Sequence, residues 1–163
     1  MAHWQVNRTL LIVGEGRHEE AFLKHVKQFS GVCGRGEKIT ITNAHGKGAL
    51  HVINWTVRQM KNKAYDRRAV LLDTDTDWTT EAAEIAQEND IQVFTSIPCF
   101  EAMLLRVIGK KPDSKRLKKQ FAPFVNNEAG EAESYAAHFH LKSLVSARKR
   151  EPTIDALLRL FGL

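Results

Sequence analysis

Two cysteines are all this chain of 163 residues contains, Cys33 and Cys99, and they form no metal-type pair. So few thiols fit a reducing cytoplasm, the expected location. Long apolar runs are missing as well: none approaches the length of a membrane span, and Met1 to Thr9 lacks a signal-peptide core. Internal repeats and low-complexity segments are absent. The charge is not one-sided either. Lys and Arg total 24 against 19 Asp and Glu, and the net charge of +5 is too modest to be a nucleic-acid signature by itself. What remains is an ordinary soluble composition, 43% hydrophobic and 26% charged, in a length that fits one domain with a sizeable core.

The chain is organised around Arg67 to Trp78. Ala69 to Leu72 run apolar without a break, and Asp73, Asp75 and Asp77 follow at alternate positions. The run suits a strand buried on both faces, as in a parallel sheet covered by helices. Three acids are costly to bury unpaired, so they belong where the strand surfaces into a loop. There they either hold a hard cation or make an acidic turn whose Asp77 caps the next helix.

Leu10 to Val13 is a second apolar run, ended by Gly14-Glu15-Gly16. Phe22, Val26 and Phe29 beyond it recur at helical spacing. Glu15 therefore lies in a strand-to-helix loop that lets a ligand approach closely. Glu19 and Glu20 fall in the first helical turn, where the dipole favours acids with or without a ligand. Lys38 to Thr42 alternates as a strand, and His45-Gly-Lys47-Gly leads into a helix marked by Leu50, Ile53, Val57 and Met60. His45 and Lys47 are candidates for phosphate contact there, or parts of a plain connection. Ala82, Ile85 and Ala86 mark a third helix, and Ile91 to Ile97 a fourth strand. Glu101 starts the helix that follows.

Lys110 to Lys119 reads as an exposed basic connection, in which Lys115, Arg116, Lys118 and Lys119 are candidates to track phosphates. Arg148 to Arg150 form a second basic group with the same expectation. Asn126 to Glu133 reads as a loop, and His138 and His140 as surface residues. Ile154, Leu157, Leu158 and Phe161 predict a closing amphipathic helix, a candidate docking surface for a protein partner. The fold class is thus α/β: a mainly parallel four-stranded sheet over 9–109 with helices on both faces. A basic, mainly helical extension over 110–163 is expected to pack on it.

Residues 11–23, Leu-Ile-Val-Gly-Glu-Gly-Arg-His-Glu-Glu-Ala-Phe-Leu, resemble the glutamate motif of Toprim domains, and Asp73-Thr-Asp75 resembles their paired-aspartate motif. Residues 96–105, Ser-Ile-Pro-Cys-Phe-Glu-Ala-Met-Leu-Leu, are similar to the Pro-Cys-Phe-Glu segment of RloB-like proteins, a Toprim group associated with bacterial restriction and defence loci. Ile97 and Met103 stand where that group tends to have asparagine and tryptophan, and His18 where a small hydroxyl residue is usual. The resemblance implies a Rossmann-like Toprim fold and Mg²⁺- or Mn²⁺-dependent cleavage of DNA or RNA. It implies Glu15 as general acid/base, Asp73 and Asp75 as metal ligands, and Glu19 and Asp77 as completing a second metal site. Glu101 is a further acid at a third loop. A different class of answer is a non-catalytic module binding nucleic acid or a protein. Asp75-Thr-Asp77-Trp-Thr79 also fits the nucleophile motif of haloacid-dehalogenase-type phosphatases, although that motif normally follows the first strand of its fold.

Overall fold

A computed structural model describes residues 8–30, 37–74 and 78–163. Strand and helix alternate through the first two-thirds: β1 (Thr9–Gly14), α1 (Arg17–Ser30), β2 (Lys38–Asn43), α2 (Ala49–Asn62), β3 (Arg67–Asp73), α3 (Thr80–Glu88), β4 (Ile91–Ser96) and α4 (Phe100–Val107). The four strands form one sheet in the order β2-β1-β3-β4, parallel at every pairing. The arrangement is Rossmann-like, and every strand's C-terminus reaches the same edge.

The uninterrupted apolar runs have the cause inferred from them. Leu10, Ile12, Ala69, Leu71 and Phe94 face α1 and α4, through Phe22, Val26, Met103 and Leu104. Their alternate neighbours Leu11, Val13, Val70, Leu72 and Ile91 face the other way, onto Val52 and Ile53 of α2 and Ala82 and Ala86 of α3. A central strand covered on both sides has no polar face to alternate with. β4 ends at Ser96, one residue short of the sequence reading. Ile97 precedes a proline and is 59% exposed.

The remaining elements are α5 (Leu117–Phe121), 3-10 turns at Ala122–Val125 and Ala132–Tyr135, α6 (Leu141–Ser146) and α7 (Pro152–Leu160). Phe121, Tyr135, Phe139, Leu144, Ile154, Leu157 and Leu158 join the cluster on the α1/α4 face, so this part shares the core. α7 spends its apolar stripe there, and Thr153 Oγ1 donates to Thr95 O at 2.7 Å beside the sheet edge.

Two expectations need correcting. The basic connection is interrupted by α5, because Leu117 and Phe121, four apart, turn inward while Lys118 and Lys119 stay exposed. The second basic group is partly committed within the chain. Arg148 pairs with Asp155 at 2.6 Å, and Arg150 donates to the carbonyls of Arg106 and Val107, closing the C-terminus of α4.

Candidate metal centre

The site begins with the missing side chain of Gly14. A Cβ at this position would stand 2.9 Å from Glu19 Cβ and 2.9 Å from the Glu20 nitrogen. Only glycine lets the first turn of α1 lie across the end of β1, and that turn carries Glu19 inward until it is 8% exposed. Glu19 Oε2 accepts from the Gly16 N–H at 3.1 Å, closing the loop on itself. Gly14→Ala is therefore expected to cost about 1–3 kcal/mol by overpacking. It should weaken cation binding as well, because relief of the clash moves Glu19. Urea unfolding and Mn²⁺ titration of the same variant check both, and an unchanged affinity would separate Gly14 from the site.

Glu15 follows on a loop stitched to both neighbouring strands. Its N–H donates to Leu71 O at 2.9 Å, and its carbonyl accepts from the Gly46 N–H at 2.8 Å. Its side chain turns to β3, where Oε2 accepts from the Asp73 N–H at 3.0 Å. Asp73 ends β3 and reaches to the next helix, Oδ1 accepting from the Phe100 N–H at 2.9 Å. The aspartate thus caps α4, whose dipole favours negative charge at that end.

These contacts bring carboxylate oxygens of Glu15, Glu19 and Asp73 within 4.8 Å of one another. The cluster can hold a metal ion. Repulsion within it is eased through Glu19, whose carboxyl is pushed up to about 7, first by burial and then by the charges of Glu15 and Glu101. Hydrogen bonds from its own backbone and from Gly16 oppose the rise. Tyr135, wholly buried from the C-terminal part, is raised by burial and by Glu19 and Glu101. Its hydroxyl donates to Ala129 O at 2.7 Å.

Among the expected residues, Glu15, Glu19 and Asp73 converge. Asp75 and Asp77 lie outside the described residues. Glu101 is near enough to act on Glu19 electrostatically but stays outside the 4.8 Å set. Glu20 turns away from it: burial raises its carboxyl, and Lys24 and Asn43 outweigh that and bring it below the ordinary value. His45 and Lys47 are exposed on the loop after β2, whose Gly46 N–H bonds to Glu15, so they flank the site at the same edge. Both have positive φ, 63° and 69°, a strain no sequence pattern announced.

Arg17 and His18 line one side of an open groove of about 610 Å³. Glu128, Glu131 and Glu133 line the other, and Arg17 pairs with Glu131 at 2.6 Å. Three carboxylates against one paired guanidinium do not suit a phosphate backbone. Lys115, Arg116, Lys118 and Lys119 are all exposed. The sequence reading missed Gly14 as a packing requirement and Phe100 as the partner of Asp73. The glycine was visible, but not what its Cβ would strike. Comparison of this chain with models of protein families, with curated proteins and with solved structures found no match.

Proposed function

We propose that this protein is a metal-dependent enzyme that cleaves phosphodiester bonds in nucleic acid, as the Toprim nucleases resembled by its motifs do. The observation that supports this most is the convergence of Glu15, Glu19 and Asp73 at the C-terminal edge of a parallel sheet. Ligands bind at this edge in open α/β folds. A donor set made only of carboxylate oxygens suits a hard cation, Mg²⁺ or Mn²⁺, over a soft one. Such a cation, when bound, stabilises charge that develops on the phosphoryl and leaving oxygens.

Asp73 and Glu19 are the ligands from the described residues, and Asp75 and Asp77 join them by motif. Glu15 moves the proton. Its carboxylate is oriented by the Asp73 N–H, and a fixed orientation is what general acid/base transfer needs. Glu101 adds negative field from the third loop. His45 and Lys47 hold phosphate at the neighbouring loop, and Lys115, Arg116, Lys118 and Lys119 track the backbone further out. A cytoplasmic role in defence against foreign nucleic acid follows from the RloB-like motif alone. None of the described helices is long and apolar enough to cross a membrane.

The test is incubation of purified protein with labelled DNA and RNA, in Mg²⁺, in Mn²⁺ and in chelator. Cleavage that needs metal, with affinity falling steeply as salt rises, is the expected result. Binding that persists in chelator without cleavage under any condition would favour a non-catalytic module. Absence of both binding and cleavage would remove nucleic acid as the substrate.

A further inference from the structure

Ser96, the last residue of β4, is fully buried, and its hydroxyl has no hydrogen-bond partner among the described residues. A buried polar group without a partner is costly, and such groups are few in folded proteins. Its backbone is engaged: the Ser96 carbonyl accepts from Thr74 N–H at 3.2 Å and from Thr74 Oγ1 at 3.4 Å. Only the side chain is left over.

The register shows where that side chain points. Ser96 pairs with Asp73 across β3 and β4, as Phe94 pairs with Leu71 two residues earlier. Leu71 and Phe94 both face α1 and α4. Side chains alternate with a period of two, so Asp73 and Ser96 project side by side onto that same face. Asp73 Oδ1 also reaches the Phe100 N–H, at the start of the helix that β4 feeds. The Asp73 carboxylate is thereby drawn toward the end of β4, where the Ser96 hydroxyl lies.

We infer that Ser96 is a positioning residue of the metal centre, its hydroxyl reserved for the water shell of a hydrated divalent cation held by Glu19 and Asp73 beside Glu15. The inference rests on the metal reading above. Mg²⁺ and Mn²⁺ prefer oxygen ligands, and Mg²⁺ in particular keeps several waters. With a cation bound, that water shell would offer the buried Ser96 hydroxyl the partner it lacks. Outer groups of this kind orient the ligands and tune affinity without touching the ion.

The experiment is Mn²⁺ titration of the full chain, followed by water-proton relaxation, for wild type and Ser96→Ala. The thermal midpoints of both are measured in chelator. The variant is expected to bind Mn²⁺ about 10- to 100-fold more weakly, with a metal-free midpoint equal to wild type or higher, since an unpaired hydroxyl has been removed. Equal affinity in the two proteins would overturn this inference and leave the metal reading standing. A weakened affinity that tracks a fallen metal-free midpoint would assign Ser96 to the fold and overturn it too. Wild type that binds no Mn²⁺ would overturn both readings together.

Discussion

Glu15→Gln is expected to lose roughly 10²- to 10⁴-fold in turnover, the usual loss when a general acid or base is removed. The protein should still bind Mn²⁺. Glutamine keeps an oxygen that accepts from the Asp73 N–H, so the loop geometry survives. The amide cannot carry the proton. Asp73→Asn should behave differently. Asparagine Oδ1 can still cap α4 at the Phe100 N–H, so the fold is preserved. The charge offered to the cation is gone, and metal affinity should fall before anything else does. Single-turnover cleavage at saturating Mn²⁺ separates the two: Glu15→Gln stays slow when loaded, whereas Asp73→Asn recovers in part as Mn²⁺ is raised. Activity that survives both substitutions would place catalysis away from this cluster.

Glu19 should give the metal-free protein a stability that falls as pH rises. Its carboxyl is held near 7 in the fold against an ordinary value of 4.5, chiefly by burial. Between those values the folded chain keeps a proton that the unfolded chain has released. Stability therefore declines with pH over that window, and the contribution is fully present only below 4.5. Above 7 both states are ionised and the dependence from this group stops. The ionised form is disfavoured by about 3 kcal/mol across the window. Glu19→Gln removes the dependence, because the amide resembles the protonated acid at every pH. Urea unfolding of wild type and variant in chelator, at several pH values, should show the variant gaining up to about 3 kcal/mol on wild type by neutral pH. Taking the difference cancels groups such as Glu20 and Asp155, whose carboxyls sit below their ordinary range. A difference that stays flat with pH would mean that Glu19 is better solvated than its burial implies.

Much of the fold was legible because the decisive patterns are local. Leu10 to Val13 and Ala69 to Leu72 leave no polar face, so they had to be central strands with cover on both sides. β2 reads differently, alternating Ile39 and Ile41 with threonines, and it is an edge strand with no fully buried residue. Glu15 and Asp73 were placeable because each stands within two residues of the end of such a run, and parallel strands deliver their ends to one edge. Glu19 was open between helix dipole and site, and the dipole argument applies equally to Glu20, its neighbour. The packing of Gly14 against Glu19 sends one inward, while Asn43 and Lys24 keep the other on the rim. The basic residues were the least legible. Arg148 and Arg150 look like Lys118 and Lys119 in sequence, yet the first two meet Asp155 and the end of α4.

By itself, then, the sequence determined the layering of this protein, a parallel sheet with helices on both faces and acids at the strand ends. Hydrophobic period and run length are properties of neighbouring residues, and the energetics of burying them leave few alternatives. Tertiary structure alone decided which acids meet, which basic residues pair within the chain, and that Ser96 is buried beside Asp73 without a partner among the described residues. Those outcomes depend on contacts between distant positions, such as the 58 residues separating Glu15 from Asp73 and the 27 separating Asp73 from Phe100. A hydrogen bond or a steric clash acts over about 3 Å, and no local pattern records which distant atom will occupy that space.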